Sequence, residues 1–161
     1  MVIVGYQGIG KSTLSGAGNG FIDLESGNFF TERGRFSEWY KPYCKIALHL
    51  SEQGYHVFTS SHADVREHLK FYNDSKQPLL ICYPVLNLKD EWVAKLKRRY
   101  EVSRSDKDYR AWQNAESCFK GNIEDLRSER GFYMCPIHEM QYNLEDLIRA
   151  KIEQIEKQNN I

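Results

Sequence analysis

Eight residues of the 161-residue chain, Gly5-Tyr6-Gln7-Gly8-Ile9-Gly10-Lys11-Ser12, fit the pattern G-x-x-x-x-G-K-[ST] and follow directly on the apolar run Met1-Val2-Ile3-Val4. The run reads as a buried strand and the residues past Gly10 as the first turn of a helix. The segment is therefore a strand, a glycine-built turn and a helix in immediate succession. Few other short patterns tie a local backbone shape so closely to one kind of guest.

That guest is phosphate. Glycines let the backbone bend so that successive N–H groups point inward as an anion-binding nest, which assigns the amides of Gly5, Gly8, Ile9 and Gly10 to the ligand. Lys11 is spaced to reach the β- and γ-phosphates of a triphosphate, and the Ser12 hydroxyl to ligate a bridging Mg2+. Thr13, one residue on, is a contact for the α-phosphate or a local helix cap.

Composition sets limits on the alternatives. The length suits one domain spanning 1–161. Lys plus Arg number 22 and Asp plus Glu 22, so no global field argues for nucleic acid or an anionic membrane surface. Cys44, Cys82, Cys118 and Cys135 are scattered without metal-ligand spacing, which suggests reduced thiols in the cytoplasm. No apolar run approaches a signal or membrane-spanning length, and a monomer or homodimer is expected.

Past the loop, Gly16, Gly18 and Gly20 force the first helix to stop near Leu14 to Gly16. Strands are expected at Phe21 to Leu24, His56 to Ser60, Leu79 to Tyr83 and Phe132 to Ile137. Between them lie an exposed loop from Gly27 to Phe36 and a helix capped by Ser37 with Trp39, Tyr43, Ile46, Ala47 and Leu50 on its apolar stripe. Further helices are expected at Ala63 to Tyr72, Leu88 to Val102, Tyr109 to Leu126 and from Asn143 onward, with a frayed tail from Glu156 to Ile161. This alternation predicts an α/β fold with a five-stranded parallel sheet and helices on both faces. Ligands in such sheets gather at the carboxyl ends of the strands.

With these elements in order, the chain resembles small P-loop kinases: nucleoside monophosphate kinases, shikimate kinase and compact nucleotide-kinase-like proteins of phage and prophage genomes. The resemblance covers nearly the whole chain in element order, while only Gly5 to Ser12 is specific at the level of motif. It implies a three-layer P-loop NTPase fold, ATP and Mg2+ as donor and metal, and a small-molecule acceptor, foremost a nucleoside or deoxynucleoside monophosphate. It further implies an acceptor-binding segment at about 26–45 and a helical lid at about 89–127. Asp23 stands where such kinases carry an acid that assists Mg2+ binding or holds the acceptor, and Arg99 and Arg104 stand in the lid-like segment. One departure is plain: the third strand ends Thr59-Ser60-Ser61-His62 and the fourth Tyr83-Pro84, so a Walker B acid is missing.

The remaining site residues each carry a plainer reading beside the functional one. Asp23 can cap a turn, and Glu25 and Ser26 can be solvated loop residues rather than acceptor contacts. Ser60, Ser61 and His62 sit where the third strand delivers residues to the crevice, although one serine suffices as a helix cap. Arg66, one helical turn past His62, can face an acceptor phosphate or pair with Glu67 or Asp64. Arg33 and Arg35 are candidate monophosphate contacts, and Trp39 fits either base stacking or the core. Lys97, Arg98, Arg99, Arg104, Lys107 and Arg110 form either a closing lid or a solvated face. Two rival functions remain open: a nucleotide-binding regulatory module with little turnover, and a P-loop NTPase acting on nucleic acid.

Overall fold

The computed structural model describes residues 1–16 and 18–159. Among the described residues five strands form one all-parallel sheet: β1 (Val2–Gly5), β2 (Phe21–Asp23), β5 (His56–Thr59), β6 (Leu79–Pro84) and β7 (Tyr133–Ile137), in the order β2-β5-β1-β6-β7. The expected α/β class and five-stranded parallel sheet are present. β1 is central, with Val2 opposite Val57 on one side and Leu79 on the other. All its residues are buried, as are all six of β6, which is why both runs are apolar without alternation.

The helices are α1 (Lys11–Ser15), α2 (Tyr40–Glu52), α3 (Ala63–Tyr72), α4 (Lys89–Ser103), α5 (Asp106–Ser128) and α6 (Leu144–Asn159). From β1 the chain moves one way to β2, then back through β5 and across β1 to β6. With right-handed crossovers this reversal puts α1 on one face of the sheet and α2, α3 and α5 on the other. The reversal at β1 leaves a crevice at the carboxyl ends of β1 and β5, where doubly wound sheets hold ligands.

Several local expectations are revised. The loop from Gly27 to Phe36 is not irregular: a short 3-10 turn (Ser26–Phe29) leads into an antiparallel hairpin of β3 (Phe30–Thr31) and β4 (Gly34–Arg35). Thr31 closes it by donating to the Gly34 carbonyl at 2.8 Å, with Gly34 at φ 96°. Ser37 does not cap α2, which begins at Tyr40 after a turn in which the Trp39 amide donates to the Phe36 carbonyl. Ile46 is exposed, because Tyr43, Cys44, Ala47 and Leu48 form the buried stripe one position away.

Helix α5 starts three residues before the expected Tyr109, because the Ser105 hydroxyl accepts the Asp108 amide as an N-cap. Helix α6 runs unbroken to Asn159, so the tail from Glu156 is helical that far; Asn160 and Ile161 lie outside the described residues. No helix among the described residues is long and apolar enough to cross a membrane.

The α4–α5 pair is packed into the molecule along most of its length. Trp92, Leu96, Ala115, Phe119, Ile123 and Leu126 are all buried in the same apolar cluster as the sheet. Lifting the pair as one rigid lid over 89–127 would expose all of these side chains. A movement of the outer joint around Ser103 to Lys107 alone would leave them covered.

Candidate functional site

The turn after β1 is shaped by positive-φ glycines, Gly8 at 85° and Gly10 at 105°, a region that side chains disfavour. Space is short as well. A Cβ on Gly5 would stand 2.8 Å from both Ile9 Cδ1 and Lys11 Cδ, and one on Gly8 2.9 Å from Leu96 Cδ2. The amides of Gln7, Gly8, Ile9, Gly10, Lys11, Ser12 and Thr13 donate to no protein acceptor among the described residues, which leaves the turn and the first amides of α1 free for water or a ligand. Lys11 folds back so that its Nζ donates to the Gly5 carbonyl at 3.1 Å. Burial lowers its pKa, opposed by the charges of Asp23 and Glu25.

Ser12 and Asp23 are joined directly: the Ser12 hydroxyl donates to Asp23 Oδ2 at 2.8 Å. Asp23 ends β2 and Ser12 lies in the first turn of α1, so the two oxygens come from neighbouring segments at one end of the sheet. Among the described residues no group of three or more His, Cys, Asp or Glu could hold a metal alone. A Mg2+ held here would need further oxygens from a ligand, which is how magnesium is ordinarily bound beside phosphates.

A cavity of about 1040 Å³ opens from the loop across the carboxyl ends of β1, β2 and β5. Its lining brings together Gly5, Gly8, Gly10, Lys11, Ser12 and Thr13 from the loop with Asp23, Glu25 and Ser26 from the second strand end. Ser60, Ser61, His62 and Arg66 enter from β5 and α3, Arg35 from the hairpin, and Arg99 from α4. Three expected residues stand apart. Ile9 is buried beneath the loop and can offer only its backbone. Arg33 lies exposed at the β3–β4 tip. Arg104, at φ 53° in the joint, lies 5.5 Å from the Tyr100 ring and does not line the cavity.

The wall opposite the loop is built around Arg35. Its guanidinium lies 4.7 Å from the Phe30 ring centroid and 4.4 Å from that of Trp39, with Nη2 donating to Ser26 Oγ at 3.2 Å. Nη1 stands 3.3 Å from His62 Nε2, a contact that suits a neutral imidazole. Desolvation and then the Arg35 charge lower the pKa of His62 in the same sense. Trp39 is buried beneath Arg35 and so belongs to the core rather than offering a free stacking face. Arg35 Nε and Ser60 Oγ are buried without a partner among the described residues. Ser60 is fixed through its backbone, because the buried Tyr43 hydroxyl accepts the Ser60 amide at 2.9 Å while donating to the Leu24 carbonyl at 2.7 Å.

The third side comes from α4 and α5. Arg99 pairs with Asp108 at 2.6 Å, and Lys107 reaches across to Glu25 at 2.8 Å. Burial raises the Asp108 pKa, but hydrogen bonds from Ser103 and Ser105 and the charge of Arg99 outweigh it and hold the carboxyl below its ordinary range. Arg66 is almost fully buried and pairs with neither Glu67 nor Asp64. It binds Asp125 and Glu129 at the end of α5 and donates to the Ser61 carbonyl, so it ties α3 to α5 beside the cavity.

Sequence reasoning missed the residues that hold the loop from outside. Trp92 Nε1 donates to the Gln7 carbonyl at 2.9 Å, the Tyr142 hydroxyl donates to the Ile9 carbonyl at 2.8 Å, and Gln7 Nε2 donates to the Ala111 carbonyl and Asn114 Oδ1. It also left Lys107 and Arg110 as parts of a basic run, whereas both line the cavity. No protein-family model matches the chain, and no curated protein matches it significantly.

Proposed function

We propose that the chain is a P-loop kinase that transfers the γ-phosphoryl group of ATP to a small acceptor, foremost a nucleoside or deoxynucleoside monophosphate. The observation that carries this reading is the meeting, in one cavity, of unpartnered loop amides, Lys11 and the Ser12–Asp23 pair with a separate cationic wall at Arg35. A donor triphosphate and an anionic acceptor need these two kinds of surface on opposite sides of one space.

The residues fit the groups assigned to them. The amides of Gly8, Gly10, Lys11 and Ser12 cradle the β-phosphate, and Lys11, once released from Gly5, neutralises charge between the β- and γ-phosphates. Ser12 and Asp23 would hold a Mg2+ ion, which would supply positive charge against that of the triphosphate. Arg99 and Lys107 stand at the mouth, where their charge can stabilise the transferring group, while Arg35, Ser60, Ser61 and His62 align the acceptor. Phosphoryl transfer asks mainly for positioning and charge neutralisation, so no strong general base is required.

A second reading has its own support. Neither β5 nor β6 ends in an acid, and both Arg99 and Lys107 are occupied by carboxylates of the chain, as a nucleotide-binding module with little turnover would tolerate. ADP formation from Mg·ATP, measured against a panel of nucleoside and deoxynucleoside monophosphates, separates the two. Acceptor-dependent turnover supports the kinase, and nucleotide binding without it supports the module.

A further inference from the structure

Beside the outer surface of the Gly5–Ser12 turn lies a cation that has no carboxylate partner among the described residues. Lys95 of α4 is half-buried, with Nζ 4.4 Å from the Trp92 ring centroid and 5.2 Å from that of Tyr142. It donates to the Tyr142 hydroxyl at 3.2 Å, and that hydroxyl donates in turn to the Ile9 carbonyl at 2.8 Å. The two rings are stacked at 6.2 Å with planes 12° apart, and the Trp92 indole N–H donates to the Gln7 carbonyl at 2.9 Å. No salt bridge within 4.0 Å involves Lys95 among the described residues.

A half-buried ammonium without a counter-ion is costly, and here burial, followed by the charge of Arg99, lowers its pKa. Cation–π contact with two rings offsets part of that cost. What the arrangement achieves is directional. A peptide plane whose carbonyl is held on one side turns the N–H of the next residue to the other. Fixing the Gln7 carbonyl orients the Gly8 amide, and fixing the Ile9 carbonyl orients the Gly10 amide. Both belong to the row of loop amides that have no protein acceptor among the described residues.

We infer that Lys95, Tyr142 and Trp92 form a positioning relay which holds the Gln7 and Ile9 carbonyls outward and so presents the Gly8 and Gly10 amides to a phosphate ligand. Lys95 polarises the Tyr142 hydroxyl, strengthening its bond to Ile9, because hydrogen bonds in a chain reinforce one another. None of the three touches the ligand; they act through the backbone. The inference rests on the proposed role of the loop as a phosphate site.

The test uses the full chain and pyrophosphate as probe, with affinity measured by calorimetry and the fold by thermal unfolding. Tyr142→Phe, which keeps the ring, is expected to weaken pyrophosphate binding about fivefold, the scale of one lost hydrogen bond. Lys95→Met is expected to act in the same direction and Lys95→Arg to restore binding. In NMR spectra the Gly8 and Gly10 amide resonances should shift less on adding pyrophosphate to Tyr142→Phe than to the wild type. Ile155→Val, a buried change in α6, controls for general loosening and should leave affinity unchanged.

Wild-type affinity in Tyr142→Phe overturns the relay while leaving the phosphate site intact. If Tyr142→Phe does not fold, Lys95→Met decides the matter, and wild-type affinity there overturns the relay equally. Failure of the wild type to bind pyrophosphate removes the phosphate-site reading and the relay with it.

Discussion

The Ser12 hydroxyl and the Asp23 carboxylate meet at 2.8 Å, linking the first turn of α1 to the end of β2. No acid ends β5 or β6, so the proposed reading gives the metal-side carboxylate to Asp23, which Ser12 contacts directly. Asp23→Asn keeps the shape and removes the charge. Turnover with Mg·ATP should fall at least about tenfold, while the affinity for metal-free ATP should stay within about twofold, since the lost partner is the cation. A magnesium titration of both proteins checks this, and equal turnover at all concentrations would make Asp23 a structural cap only.

Gly8 offers a separate test of the loop. Its φ of 85° disfavours any side chain, and a methyl group placed there would meet Leu96 Cδ2 at 2.9 Å. Gly8→Ala should cost about 1–2 kcal/mol of stability through the left-handed backbone alone. Triphosphate binding should weaken beyond what the stability loss explains, because the turn cannot keep its amides aligned. Denaturant unfolding and ATP calorimetry on the same preparation distinguish the two effects.

Arg99 and Arg104 should behave differently. Arg99 lines the cavity and Arg104 lies against Tyr100 outside it. Arg99→Ala is expected to lower kcat about tenfold or more with a smaller change in KM, as loss of a contact made mainly in the transition state does. Arg104→Ala should leave both within about twofold. Equal losses in the two variants would mean that the joint closes much further than its packing suggests.

Arg66 joins α3 to α5 through Asp125 and Glu129, with only 4% of its side chain exposed. Arg66→Ala should destabilise the fold by about 3 kcal/mol, since it strands partners in a partly buried network. Burial raises the Glu129 pKa, but hydrogen bonds from Lys70 and Arg66, and their charges, bring it below the ordinary glutamate value of 4.5. The folded-state pKa is thus the lower one. The contribution is fully present above the unfolded-state value and is lost as pH falls through the folded one. Unfolding midpoints between about pH 7 and pH 3 should fall more steeply for the wild type than for Arg66→Ala.

Much of this is legible in the chain itself. The strand at Val2–Gly5 is an unbroken apolar run and the turn after it a spaced pattern, so both are local signals. The order of strands and helices follows from alternation and turn residues, and it brings Asp23, Ser60 and His62 to the same end of the sheet as Lys11. The β3–β4 hairpin leaves no such signal because its strands are two residues each, too short for any period to emerge. The contacts that hold the loop join residues 85, 104 and 133 positions apart. Trp92 and Tyr142 use one polar atom each on otherwise apolar rings, and nothing in the local sequence separates that use from core packing. Arg66 departs from its sequence reading for a similar reason: helical spacing offers Glu67 and Asp64, but burial of α3 against α5 supplies better-placed acids.

On the proposed reading, Lys11 and the surrounding loop hold the triphosphate from which a phosphoryl group is passed to an acceptor. The most direct measurement is ADP formation from Mg·ATP with and without a nucleoside monophosphate, run in parallel on the wild type and Lys11→Ala, with ATP affinity determined for both by calorimetry. Acceptor-dependent ADP formation is expected of the wild type. In Lys11→Ala it should fall at least about a hundredfold, with severely weakened ATP binding and an unchanged fold. Equal ATP affinity in the two proteins, or ADP formation indifferent to every acceptor, would contradict it.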